Sequence, residues 1–202
     1  MRQELSKSDR EASKRYRILT AAKKCFLDYG FKKTSMSDIA KQADMSRPAL
    51  YLHFDNKETI FCEMVEQLHQ QTLAEAATVL EQKHLNIIER LNKAFECRTV
   101  FLFATVNDST HGSELTDINN KIAFQINRTS IDRFVQLISQ TLTVAESKNE
   151  IQLKKLDLTA TQAAELLVNS ASGIKQAATS TEDFRARLKR LISMFEWATV
   201  VR

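Results

Sequence analysis

A chain of 202 residues with only three glycines and one proline has few places to turn. Strand-rich folds turn often, and their turns draw on glycine and proline for special backbone angles. The scarcity disfavours an all-β architecture and favours long helices. Apolar residues make up 43% of the chain, enough for a sizeable core. No run approaches the roughly 18 apolar residues of a membrane span. Met1 to Arg10 is polar and charged and lacks the apolar stretch of a secretory signal. Cys25, Cys62 and Cys97 are an odd set in no disulfide spacing, and a reducing cytoplasm fits them best.

Apolar periodicity sets out the helices. Residues 1–9 read as a polar, mobile arm. A first helix follows, with Ile18, Ala22, Cys25, Phe26 and Tyr29 on one face and Gly30 at its end. Ser35 caps a second, with Asp38 three residues on. Its buried face is Met36, Ile39, Ala40 and Ala43. Ser46 caps a third, with Pro48 in the first turn, where a missing N–H costs little, and Leu50 and Phe54 facing inward. A fourth is predicted to open at Asp55, with Glu58 completing a capping box, and to run to about residue 82. Further helices are predicted near 85–106, 113–146, 159–179 and 181–200, the second of these open to a break. The expected fold is all-α, with about nine helices. Residues 10–55 form an N-terminal three-helix domain, and a long helix leads from it into a C-terminal bundle within 56–202.

The segment Thr34 to Glu58 carries the chemistry. Two short helices joined by a three-residue turn form a helix-turn-helix, here at about 35–54, a device for placing side chains in the major groove of DNA. Steeply crossing helices want small residues at their contact, and Ala40 and Ala43 supply them. The turn needs a residue that tolerates positive φ. The third helix must present small or hydrogen-bonding residues at its start, and Ser46, Arg47, Ala49 and Tyr51 do so. Arginine can bond the O6 and N7 of guanine, alanine can touch a thymine methyl, and hydroxyls can bond phosphate. Lys57, at the start of the fourth helix, reads as a phosphate clamp. Charge agrees: residues 1–60 hold 13 Lys/Arg against 8 Asp/Glu, a net of +5, whereas residues 61–202 hold 16 against 17. A positive field over the reading head is the footprint of a nucleic-acid binder.

In register, the string Ile18-Leu19, Ala21-Ala22, Phe26, Gly30-Phe31, Thr34-Ser35, Ile39-Ala40, Ala43, Ser46, Leu50-Tyr51, His53-Phe54 and Lys57-Glu58 resembles the DNA-binding domain of the TetR family of bacterial transcriptional regulators. The resemblance implies that Thr34, Ser35, Tyr51 and Lys57 hold the DNA backbone. It implies that Arg47, Pro48, Ala49 and His53 lie at or near the groove. Asp44 departs from the glycine usual in the turn, and aspartate tolerates the left-handed region better than most residues.

The resemblance also implies a C-terminal domain that binds an effector and pairs with a second copy. Apolar and polar candidates for the effector pocket are Met64, His69, Phe95, Phe101 and Phe124. The last two helices are expected to form a four-helix dimer interface through Leu167, Ala171, Ile174 and Ala178 on one, and Leu188, Leu191 and Phe195 on the other. Cys62, Glu66 and His69 share one helical face and could in principle sense a metal or oxidant, but no further Cys or His completes the set. No metal and no cofactor is expected. No nucleophile with base and orienter, and no phosphate-cradling glycine loop, points to an enzyme. The leading expectation is a cytoplasmic, homodimeric repressor that binds a palindromic double-stranded operator and leaves it when a small molecule binds. The rival is a DNA-bound factor that recruits another protein and takes no ligand.

Overall fold

The computed structural model describes Ser6 to Val200, apart from the Lys7 side chain. The α-helices are α1 (Lys7–Tyr29), α2 (Met36–Gln42), α3 (Arg47–Tyr51), α4 (Lys57–Leu80), α5 (Ile87–Phe95), α6 (Phe101–Asn107), α7 (Gly112–Ile122), α8 (Phe124–Ser147), α9 (Ala160–Ala177) and α10 (Thr181–Thr199). A π-helical turn, Glu96–Val100, joins α5 to α6 without a break, so the described residues hold nine continuous helices. Their extended pairing is limited to a single bridge between Ile151 and Val200. The all-α architecture expected from turn scarcity is the one found.

Two compact units emerge. The first runs up to Leu68 and includes Ser109–Ile126; the second holds His69–Asp108 and the chain from Asn127 onward. The segment carrying α7 belongs to the first unit, whereas the sequence grouped it with the C-terminal bundle.

In the first unit, local caps fix where helices begin. Ser6 and Asp9 form a reciprocal box at α1, as do Ser35 and Asp38 at α2. Ser46 Oγ accepts from Ala49 N at 3.2 Å at α3. Each such cap is worth about 1 kcal/mol, because it satisfies a helix N–H that has no partner within the helix. The expected arm at 1–9 is helical from Lys7, and residues 1–5 lie outside the described part of the chain. α4 does not open as expected. Asn56, not Asp55, is its cap: Asn56 Oδ1 accepts from Thr59 N at 2.8 Å.

The core of this unit is the triangle Phe26, Phe31 and Phe61, with ring centroids 5.2 to 5.6 Å apart. Ile18, Ala22, Ile39, Leu50 and Ile60 are completely buried around it. α1 ends at Gly30, whose φ of 81° suits glycine. A Cβ there would also come within 2.5 Å of Glu114 Oε2 on α7. Glu114 in turn accepts from Lys32 N at 2.7 Å, which pins the turn after α1.

The second unit buries a larger apolar cluster. Phe95 packs on Phe134 at 5.1 Å, and Phe103 on Phe184 at 4.9 Å. Leu91, Ile138, Leu142, Ile151 and Ile192 are buried among them. Thr159 with Gln162 boxes the start of α9, and Ser180 caps α10 through Asp183 N. The break open to the 113–146 helix is real and falls at Ala123, between α7 and α8.

Candidate nucleic-acid interface

The head is built for a steep crossing of α2 and α3. Ala40 and Ala43 are buried at the contact, as small residues must be for the two backbones to approach. Asp44 makes the turn in the left-handed region, at φ 54°. Aspartate adopts that region at lower cost than most residues, so the turn forms without the usual glycine. Met45 N then donates to Ala40 O at 3.0 Å and sets the entry to α3. Arg17 braces the same turn from α1, donating to Ala43 O at 2.7 Å.

One face of this head is open to solvent. Ser46, Arg47, Pro48 and Tyr51 are exposed there, and Ala49 is half-buried. Arg47 lies 5.5 Å above the Tyr51 ring and donates to Tyr51 Oη at 3.3 Å. The aromatic face holds the guanidinium one helical turn away, which reduces the rotamer freedom it would lose on contact. Ser37, Lys41, Asp44 and Arg47 border a shallow, open groove beside it. Ser35 is exposed at the start of α2, with its hydroxyl on Asp38 at 2.6 Å. That bond holds the Asp38 carboxyl below its ordinary range.

Other expected DNA contacts are differently placed. Thr34 is 2% exposed, and its hydroxyl donates to Gly30 O at 2.7 Å. It is a staple of the loop rather than a surface group. Lys57 is half-buried, and its ammonium donates to Phe31 O at 2.7 Å, Thr34 O at 3.0 Å and Lys32 O at 3.3 Å. An ammonium has three protons, and these three carbonyls take them all. It also stands 4.5 Å above the Phe31 ring. The sequence marks Lys57 as a cation near DNA; the fold uses it to tie off the loop after α1. His53 has Nδ1 2.7 Å from Glu11 Oε1 and its carbonyl accepts from Arg15. Arg15 is itself held by Glu63 and by the Phe54 ring at 4.4 Å.

Among the pocket candidates, Phe95 is fully buried, His69 and Met64 are half-buried, and Phe101 and Phe124 are exposed. Of the dimer candidates, Leu167, Ala171 and Leu188 are at most 3% exposed, inside the chain's own core. Ile174, Ala178, Leu191 and Phe195 are half-buried against that core. Elsewhere on these helices Leu166, Met194 and Trp197 are 55%, 70% and 74% exposed. Cys62 Sγ donates to Ile122 O at 3.4 Å, and burial pushes its thiol up, away from the thiolate that metals and oxidants require. No grouping of three metal-binding side chains occurs among the described residues.

Residues 18–64 match the family model described as "Bacterial regulatory proteins, tetR family". The HTH-type transcriptional regulator YdgC of Bacillus subtilis is 35% identical over 92 residues, 44% of this chain and 46% of that protein. The chain thus spans under half the length of the curated relatives it matches. Solved structures agree in fold over nearly the whole chain. A transcriptional regulator from Cytophaga hutchinsonii superposes with a TM-score of 0.79 at 19% identity, covering 91% of this chain and 97% of that one. SmeT, the repressor of the Stenotrophomonas maltophilia multidrug efflux pump SmeDEF, gives 0.68 at 19% identity, covering 93% and 90%; it has also been solved as a triclosan complex. Residues 18–64 thus match the tetR-family model, and the chain shares an all-α fold along its length with solved transcriptional regulators.

Proposed function

We propose that this protein is a transcriptional repressor that acts as a dimer on a palindromic operator and is released by a small-molecule effector. One observation carries the reading: the solvent-open start of α3, with Arg47 poised on Tyr51, on the most basic part of the chain. Two copies, each with its reading helix in a major groove, match the two halves of such a site. The SmeT–triclosan complex supports an effector bound by a protein of this fold. α4 runs from the first unit into the second and is the covalent path by which a ligand could act on the head. A ligand can shift the two states only by its differential affinity for them.

The exposed groups Leu166, Met194 and Trp197 are the contact we assign to the second copy. The test of DNA reading is Arg47→Ala against an operator selected from random duplexes. Loss of a bidentate base contact should cost about 1–3 kcal/mol and relax preference at one base per half-site. Unchanged affinity and unchanged preference would remove α3 from the groove.

A further inference from the structure

Two arginines are buried in the C-terminal unit, and they are treated differently. Arg90, 7% exposed, meets Glu150 Oε2 at 2.7 Å. Arg98, 3% exposed, has no carboxylate paired with it among the described residues. Its Nη1 donates to Thr72 Oγ1 at 3.2 Å, and its Nη2 to Ser130 O at 3.0 Å and Ser130 Oγ at 2.8 Å. A guanidinium has five N–H donors, so Nε–H and one Nη1–H have no acceptor among the described residues. Phe134 lies beneath the group, 4.9 Å from it.

His69 belongs to the same cluster. Its Nε2 is 2.9 Å from Asn127 Oδ1, while its buried Nδ1 has no partner among the described residues. The positive charges that bear on it come from Arg98 and from Lys175 on α9. Two cationic side chains therefore bear on His69, and burial holds the imidazole itself toward its neutral form. Lys175 is exposed as a residue, yet the protein mass around its ammonium pulls its pKa down.

We infer that Arg98 forms the anion-binding part of the effector site and that the effector is a small organic acid whose carboxylate pairs with the Arg98 guanidinium. This rests on the effector-responsive reading given above and names the class of molecule. A buried, unpaired cation is costly, and a carboxylate arriving at the unused Nε and Nη1 donors supplies the missing counter-charge with fork geometry. Burial draws the guanidinium down only to about 10, so it remains charged at neutral pH. The backbone points the same way. Arg98 stands on the π-helical turn Glu96–Val100, and such turns, rare within helices, recur where a side chain is turned to a functional purpose. Phe134, against the guanidinium, packs in turn on Phe95, so the group's surroundings are largely apolar, as the body of such an acid requires.

The test is direct binding by calorimetry to the full chain without DNA. The probes are straight-chain monocarboxylates of two to twelve carbons and substituted benzoates, each beside its neutral amide. At least one acid should bind saturably, with its amide at least tenfold weaker. Arg98→Met should weaken that acid tenfold or more, and Arg98→Lys less. Without ligand, Arg98→Met should melt no lower than the parent, because removing an unpaired buried charge relieves its desolvation. Failure of every acid to bind, equal binding of acid and amide, or full acid affinity in Arg98→Met would overturn the inference. If both variants fail to fold, the acid–amide contrast on the parent protein still decides. Operator binding measured without any acid reads the head separately, so an intact operator shift with no acid binding sinks only this inference.

Discussion

Replacing Lys57 by methionine separates two roles that the sequence leaves merged. The substitution keeps most of the stem and removes the ammonium. In the structure that ammonium satisfies three carbonyls, two of them at 2.7 and 3.0 Å in half-buried surroundings. The third, at 3.3 Å, is exposed and contributes little. Charged hydrogen bonds net about 1.5–3 kcal/mol each when buried, and half-exposure cuts that to about 1 kcal/mol apiece. The contact with Phe31 adds about 0.5 kcal/mol, so the loss should be about 2–3 kcal/mol. For a chain of this size that is a fall of roughly 4–12 °C in melting temperature, read by circular dichroism. The salt dependence of operator binding is the second readout. A lysine that neutralises one phosphate contributes about 0.9 to the slope of log K against log salt. Lys57→Met should leave that slope unchanged under conditions where the variant is folded. A slope reduced by about one with unaltered stability would show that Lys57 is a phosphate contact and that its carbonyl bonds are incidental.

Two further outcomes follow from the same structure. Met194→Glu combined with Trp197→Glu should convert a dimer to a monomer in sedimentation at micromolar concentration while leaving the helical signal intact, since both side chains are at least 70% exposed in the single chain; a dimer that persists would move the interface elsewhere. Asp38 has its carboxyl held below the ordinary value by Ser35, so its contribution to stability is present above the unfolded pKa and disappears as pH falls through the folded one. Ser35→Ala should therefore lower stability at neutral pH and flatten its loss as pH falls through and below the ordinary carboxylate range, and an acid-unfolding curve identical to the parent's would refute the capping account.

Much of the head was legible because its signals are local. Caps at Ser35 and Ser46, the glycine after α1 and the small residues at the α2–α3 contact each act over three or four positions. Asp44 was read as the residue that takes the left-handed turn, and it does so at φ 54°. Asp55 misled because Asn56 offers the same cap chemistry one residue later, and sequence does not choose between adjacent acceptors. Helical spacing likewise located α9 and α10 but not which of two stripes faces outward. Leu167 and Leu188 went to the core, leaving Leu166, Met194 and Trp197 exposed.

The sequence by itself determined most of the helices, the caps at Ser35 and Ser46 and the turn of the reading head, since these depend on backbone angles and on neighbours within one turn. Tertiary structure alone decided what each cation does. Arg15 meets Glu63, Lys57 meets the carbonyls of a loop more than twenty residues away, and Arg98 is carried into the interior beside Thr72 and Ser130. The physical reason is that charge is worth what its surroundings make it. The same guanidinium is a probe of DNA on an open face, a brace against a carboxylate, or an unpaired charge in a core. Nothing in its sequence position distinguishes these until distant parts of the chain have packed around it.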